Sequence, residues 1–325
     1  MKKVIIDCDP GHDDALAILL AAGHLDVLGI TTVAGNHTLE KVTDNALKIL
    51  ECAGLTRIPV ARGMDSALMG PVHDTSDIDG PDVHGETGLD GPVLPVPNTP
   101  LDPRHAIDFI IETVMAEEGV TLVPTGPLTN VATALRREPR IGERLEGISL
   151  MGGNLTIGNV TATAEFNICT DPTAAHIVFT SSVPVKMCGI NLTRQVMATD
   201  VEIARIRALD NRVGHFAADL LEYFTGSIKK LFGLPGGALH DPCAVIPLID
   251  PSLIRFEPMH VAIERYGEHT CGMTVCDYRH LHWTGGNEFF TIGEPKGTPP
   301  FTEVGLYIDR DRFFDLLVKT LAGYP

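Results

Sequence analysis

The chain has 325 residues, 44% hydrophobic and 21% charged, which is enough apolar material for a large core and excludes wholesale disorder. Lys plus Arg number 25 against 42 Asp plus Glu, and the resulting charge of −17 argues against a nucleic-acid partner and against an anionic membrane surface. The apolar run Ala15–Ala22 is far short of the ~20 residues a membrane helix needs. Asp7 and Asp9 interrupt any secretory pattern after Lys2 and Lys3, so a cytoplasmic location is expected. The seven cysteines form neither a CxxC pair nor a zinc spacing, which points to reduced, mostly buried thiols.

In chain order, Val4–Asp7 reads as a buried strand and Asp14–Ala22 as the helix after it, ended by Gly23. Leu28–Ala34 is a second strand. Leu39–Cys52 has helical spacing, with Val42, Ala46, Ile49 and Leu50 on one face and Gly54 behind it. Further strands are expected at Val120–Pro124, Ile148–Met151, Val183–Cys188 and Met259–Ile263. Helices are expected over 104–118, 171–181, 212–231, 241–249 and 311–321. Strand and helix alternate throughout, which implies an α/β fold: an open, doubly wound, mostly parallel sheet covered on both faces. Two segments break the pattern, one rich in Pro, Asp and Gly around 70–100 and one around 223–240. They are expected to be mobile and to close over a ligand. No linker separates two cores, so residues 1–325 are read as one domain.

The densest chemical signal is Asp7-Cys8-Asp9-Pro10-Gly11-His12-Asp13-Asp14. It lies at the C-terminal end of the first strand, the edge where open α/β sheets bind ligands. A single Asp there would serve as a helix cap. Four converging carboxylates repel one another and call for a cation, and an all-oxygen donor set suits a hard one such as Ca²⁺ or Mg²⁺. A strand ending in Asp-x-Asp also opens the haloacid-dehalogenase-like phosphatases, in which the first Asp, here Asp7, is a nucleophile. The later parts of that pattern have no clear match in this chain.

The run DCDPGHDDALAILLA resembles the opening of the inosine–uridine nucleoside hydrolases. Thr32–Asn36, Val83–Gly91, Pro124–Asn130, Met151–Gly153, Ala164–Ile168, Asp171-Pro172 and His240–Pro242 resemble further segments of that family, in family order and across nearly the whole chain. The resemblance implies Ca²⁺ held by Asp9, Asp14, Asp241 and the carbonyl of Thr125, with Asp9 also the base that deprotonates the attacking water. It implies that Asp13 and Asn167 grip ribose hydroxyls, that Asn159 and Glu165 complete the sugar pocket, and that Asn36 lies beside it. His84 would help cover the base and His240 would be the leaving-group acid. A ribonucleoside substrate and a homo-oligomer, dimer or tetramer, are implied in the same way.

The residue types suit that chemistry independently. Cleavage of a ribosyl C–N bond passes through an oxocarbenium-like state that carboxylates and amide oxygens stabilise. A metal and a nearby carboxylate generate the nucleophile, and histidine suits protonation of the leaving base. Some members of the family that the chain resembles hold a purine between tryptophans; the one tryptophan here, Trp283, is late in the sequence, which speaks against that group, while His84 and His240 resemble the group that accepts inosine and uridine, purine or pyrimidine. Phe216, Tyr223 and Phe224 are packing residues by spacing, and one of them is a candidate for the base. His12 has no role in this reading. The same scaffold could also bind a nucleoside without hydrolysing it, although the intact set Asp9, Asp13, Asp14, His240 and Asp241 speaks against that.

Overall fold

A computed structural model describes residues 1–69, 83–282 and 302–325. Its strands are β1 (Lys3–Cys8), β2 (Asp26–Thr32), β3 (Val60–Arg62), β4 (Val120–Pro124), β5 (Gly147–Met151), β6 (Val185–Cys188), β7 (Met197–Ala198), β8 (Gly237–Ala238), β9 (Ile254–Met259), β10 (Val261–Ile263), β11 (Thr274–Cys276) and β12 (Thr302–Ile308). Eight of them form one sheet in the order β3-β2-β1-β4-β5-β6-β12-β9. All its pairings are parallel except β12 with β9, so the expected doubly wound, mostly parallel architecture is present.

Chain order reverses direction between β1 and β4. In open α/β sheets this is where the strand ends splay and leave a crevice. Asp7 of β1 is in register with Thr31 on one side and Pro124 on the other. The residues that follow, Asp9 and Thr125, therefore emerge side by side at that crevice.

Helices cover both faces, each over its own apolar cluster. The helix His12–His24 is buried along His12–Ala21, polar residues included, because it lies beneath the helices Leu39–Ala53, Pro242–Ile249 and Arg310–Ala322. A helix sunk this deep carries its first-turn aspartates out of reach of bulk water. Among the described residues no helix is long and apolar enough to cross a membrane.

Several boundaries differ from the sequence-based expectation. Met259–Ile263 is not one strand: the chain turns at His260, leaving β9 against β12 while β10 pairs with β11 in a separate ribbon. β2 starts at Asp26 and ends before Val33, because Val33 and Ala34 already lead into the loop that carries Asn36. In the 223–240 segment, residues up to Phe232 complete the helix Arg212–Phe232, and Gly237-Ala238 pair with β7. Of the 70–100 segment, residues 70–82 lie outside the described residues, as does Trp283.

Candidate active site

The tight turn after β1 places Asp9 between two glycines. A Cβ on Gly35 would fall 2.0 Å from Asp9 Oδ2, and one on Gly126 would fall 2.6 Å from Asp9 Oδ1. Only bare backbone on both sides leaves room for the carboxylate. The Asn36 amide N–H donates to Asp9 Oδ2 at 2.7 Å, and the Asn36 side-chain amide donates to the Asp9 carbonyl at 3.1 Å. Gly11 then caps the following helix without a side chain of its own, and its N–H donates back to Asp14 Oδ2 at 2.9 Å. The Thr125 hydroxyl donates to the other oxygen of Asp14 at 2.7 Å, and the His240 backbone N–H donates to Asp13 Oδ2 at 3.0 Å. Strands β1 and β4 and the segment before the Pro242–Ile249 helix thus converge on one point.

Carboxylate oxygens of Asp13, Asp14 and Asp241 lie within 4.8 Å of one another, all buried. Asp13, expected beside the sugar, belongs to this group, whereas Asp9 stands just outside it. Burial raises all four carboxyl groups above the usual range: Asp13 reaches about 7, and Asp9 and Asp241 go well above 3.8. Mutual repulsion adds to the rise at Asp9, Asp13 and Asp241. No lysine or arginine pairs with any of the four among the described residues. An all-oxygen, buried and anionic donor set fits a hard divalent cation, whose charge would offset both the burial and the repulsion. Asn167 Nδ2 donates to the Thr125 carbonyl at 2.7 Å, and that oxygen keeps a second lone pair.

Above this cluster opens a cavity of about 350 Å³, with Asp13, Thr125, Asn167 and Asp241 on its floor and Asn36 and His84 at its side. Asp9 and Asp14 do not line it but back the floor from below. Glu165 and Asn159 line it too, yet much of their hydrogen-bonding capacity goes to the backbone. Glu165 caps the helix Phe166–Thr170, accepting from Asn167 N and Ile168 N, and also accepts from Gly153 N at 2.8 Å. Burial nevertheless lifts its carboxyl to about 7. Asn159 Oδ1 accepts from Phe166 N at 3.0 Å. These two residues hold the first turn of the helix that carries Asn167.

His12, for which spacing suggested nothing, is fully buried behind His84. The two Nδ1 atoms lie 2.9 Å apart, and His12 Nε2 lies 2.8 Å from the Asp90 carbonyl. Tyr223 and Phe224 stack on the His12 ring at centroid distances of 5.5 and 5.6 Å. This stack fixes the 83–91 loop to the first helix. Burial holds His84 well below the usual imidazole range, and His12, His240 and His37 act in the same sense. His240 Nδ1 lies 2.6 Å from the Thr193 hydroxyl. Burial, and after it the Arg194 charge, push the His240 imidazole down to about 4.

Of the three aromatics, Phe224 lines the cavity, with Ile228 and Phe232 one and two turns further on. Phe216 faces the core and Tyr223 backs His12. The i, i+4, i+8 spacing of this apolar wall is visible in the sequence, but the same helix carries a core-facing stripe, and periodicity cannot tell the two apart. Met197 and Arg194, also in the lining, carry no signal in the sequence. Asp7 takes no part in the cavity: its Oδ1 accepts from Thr31 Oγ1 at 2.6 Å and from Asn130 Nδ2 at 2.8 Å, as a buried strut between β1, β2 and the helix Thr129–Arg137.

The sequence profile of the inosine-uridine preferring nucleoside hydrolases matches residues 4–315. The chain is 42% identical to the inosine-uridine preferring nucleoside hydrolase of Crithidia fasciculata, covering 98% of this chain and 97% of that one. It is 42% identical to the pyrimidine-specific ribonucleoside hydrolase RihA of Photobacterium profundum, covering 99% of each. Among solved structures, the purine-preferring ribonucleoside hydrolase of Gardnerella vaginalis superposes with a TM-score of 0.87 at 34% identity, over 99% of this chain and 98% of that one. The plant nucleoside hydrolase PpNRh1 superposes with a TM-score of 0.86 at 32% identity, over 99% of both chains. With its buried aspartates at the β1–β4 crevice and its match from end to end, the chain belongs to the inosine-uridine preferring nucleoside hydrolase family, enzymes that hydrolyse the N-glycosidic bond of ribonucleosides.

Proposed function

We propose that this protein is a Ca²⁺-dependent ribonucleoside hydrolase that releases ribose and a free base, with an inosine- and uridine-type preference. The observation that carries this reading is the convergence of Asp13, Asp14 and Asp241 at the bottom of a nucleoside-sized cavity, with Asp9 behind them. Asp9, Asp14, Asp241 and the Thr125 carbonyl hold the cation. When bound there, Ca²⁺ lowers the pKa of a water and orients the ribose hydroxyls.

Asp9 takes the proton from the attacking water. Asp13 and Asn167 grip the ribose hydroxyls, while Asn36, Asn159 and Glu165 shape the sugar pocket. The carboxylates face the positive charge that grows on the sugar as the C–N bond breaks. The departing base leaves toward His240, its leaving-group acid, whose Nδ1 lies 2.6 Å from the Thr193 hydroxyl. His84 covers the base. The name of the Crithidia relative supports inosine and uridine, and the unlike names of the RihA and Gardnerella relatives make base choice the point to measure.

Ribose release from inosine, uridine, adenosine, cytidine and guanosine, before and after chelation of divalent metal, tests the proposal. Release from at least one ribonucleoside, lost on chelation, restored by Ca²⁺ and lost in Asp9→Ala, is expected. Nucleoside binding without ribose release, in protein that retains its metal, would overturn it.

A further inference from the structure

Arg194 has no part in the reaction described so far. It is half-buried and lines the same cavity as Asp13, Glu165 and Asp241. Yet its guanidinium makes no ion pair with any of them, and no hydrogen bond from it is found among the described residues. Elsewhere in the chain Arg104, Arg207 and Arg310 each hold a carboxylate at 2.6–2.8 Å. A guanidinium is weakly hydrated and always charged, and leaving it half-buried and unpaired costs free energy unless a ligand completes it.

Its place follows from what surrounds it. Arg194 follows Thr193, whose hydroxyl lies 2.6 Å from His240 Nδ1, so it reaches the cavity beside His240. There its charge acts on the His240 ring. Three residues on, Met197 pairs with Ala238 across the β7–β8 ribbon, and both line the cavity. The adjoining wall is Phe224, Ile228 and Phe232, which offer a base a face to lie on and no hydrogen-bond donor.

We propose that Arg194 is a catalytic residue that accepts the negative charge of the departing nucleobase, donating N–H bonds to a ring nitrogen or carbonyl oxygen on its edge. This rests on the hydrolase reading above. In the step, the C1′–N bond breaks and both its electrons stay on the base nitrogen. The water oxygen bonds to C1′, its proton passes to the Asp9 carboxylate, and the base takes a proton from His240 or solvent. Arg194 keeps all its protons throughout and contributes a preorganised positive charge where the anion forms.

The test compares leaving groups. Inosine and uridine need help to expel the base, whereas 4-nitrophenyl β-D-ribofuranoside expels a stable phenolate unaided. Arg194→Met should lower kcat on inosine or uridine by ~100-fold, the usual scale for losing one such donor, and leave the nitrophenyl riboside within ~3-fold of wild type. Arg194→Lys, which restores the charge but not the fork, should recover part of the nucleoside loss. Equal losses on both substrate types, or none on either, would overturn the assignment. If Arg194→Met fails to fold, as judged by circular dichroism, Arg194→Lys carries the same comparison alone. Wild-type protein inert toward both substrate types would instead refute the hydrolase reading.

Discussion

Gly35 offers a way to disturb the site without touching a charged group. Its backbone lies outside the left-handed region, so alanine fits the local conformation without strain. The added Cβ would nevertheless fall 2.0 Å from Asp9 Oδ2 and 2.8 Å from Pro127 Cδ. A carbon–oxygen contact sits near ~3.3 Å, so the carboxylate must retreat by roughly 1.3 Å. On the other side the room is limited by the Gly126 backbone, where an added Cβ would fall 2.6 Å from Oδ1. Retreat breaks the 2.7 Å bond from the Asn36 amide, a charge-assisted contact worth about 1.5–3 kcal/mol. A displacement of this size at a reacting group costs ~100-fold in rate, or about 2.7 kcal/mol of barrier. Gly35→Ala should therefore lower kcat/KM for the best ribonucleoside by ~100-fold while circular dichroism shows a folded chain. Ribose release and metal content per chain are the assays. A Gly35→Ala protein with wild-type turnover would show that Asp9 need not stay where the two glycines hold it, and the role given to Asp9 would fall with it.

Other substitutions separate scaffold from chemistry. Gly226 lies in the Arg212–Phe232 helix, and a Cβ there would meet nothing within 4 Å, so Gly226→Ala should raise stability by about 0.5–1 kcal/mol, read as a higher Tm with unchanged kcat. Asp7→Asn keeps an oxygen for Thr31 and Asn130 and places an unpaired NH₂ where Oδ2 has no partner, so it should cost some stability and leave ribose release near wild type; abolished turnover would restore a chemical role for Asp7. Metal removal should make stability pH-dependent. In the stripped protein the folded-state carboxyl pKa values lie above 3.8, Asp13 at about 7, so the fold holds more protons than the unfolded chain over that window and stability falls as pH rises through it. The Tm of stripped protein should thus be lower at pH 8 than at pH 7, a range in which the buried histidines are largely neutral folded or unfolded, and adding Ca²⁺ at pH 8 should recover it; a Tm indifferent to both would count against a buried cation site.

The α/β class is legible in the order of residues alone, because β-branched runs and amphipathic stretches alternate with turn residues between them. The Asp7–Asp14 cluster and the ordered motifs of the family are legible there too, since these are local patterns whose chemistry is carried by residue type. Tertiary structure alone decided which carboxylates meet. Asp7 and Asp9 are two residues apart, yet the end of the strand points Asp7 inward toward Thr31 and Asn130, while the turn after it sends Asp9 to the slot between Gly35 and Gly126. Asp241, more than two hundred positions away, joins Asp13 and Asp14 only because the Pro242–Ile249 helix packs against the first helix. The same holds for His12 behind His84, for Phe224 facing the cavity while Phe216 faces the core, and for the place of Arg194 in the cavity lining. Spacing along a chain records which face of an element a residue shares, and packing between elements decides what that face meets.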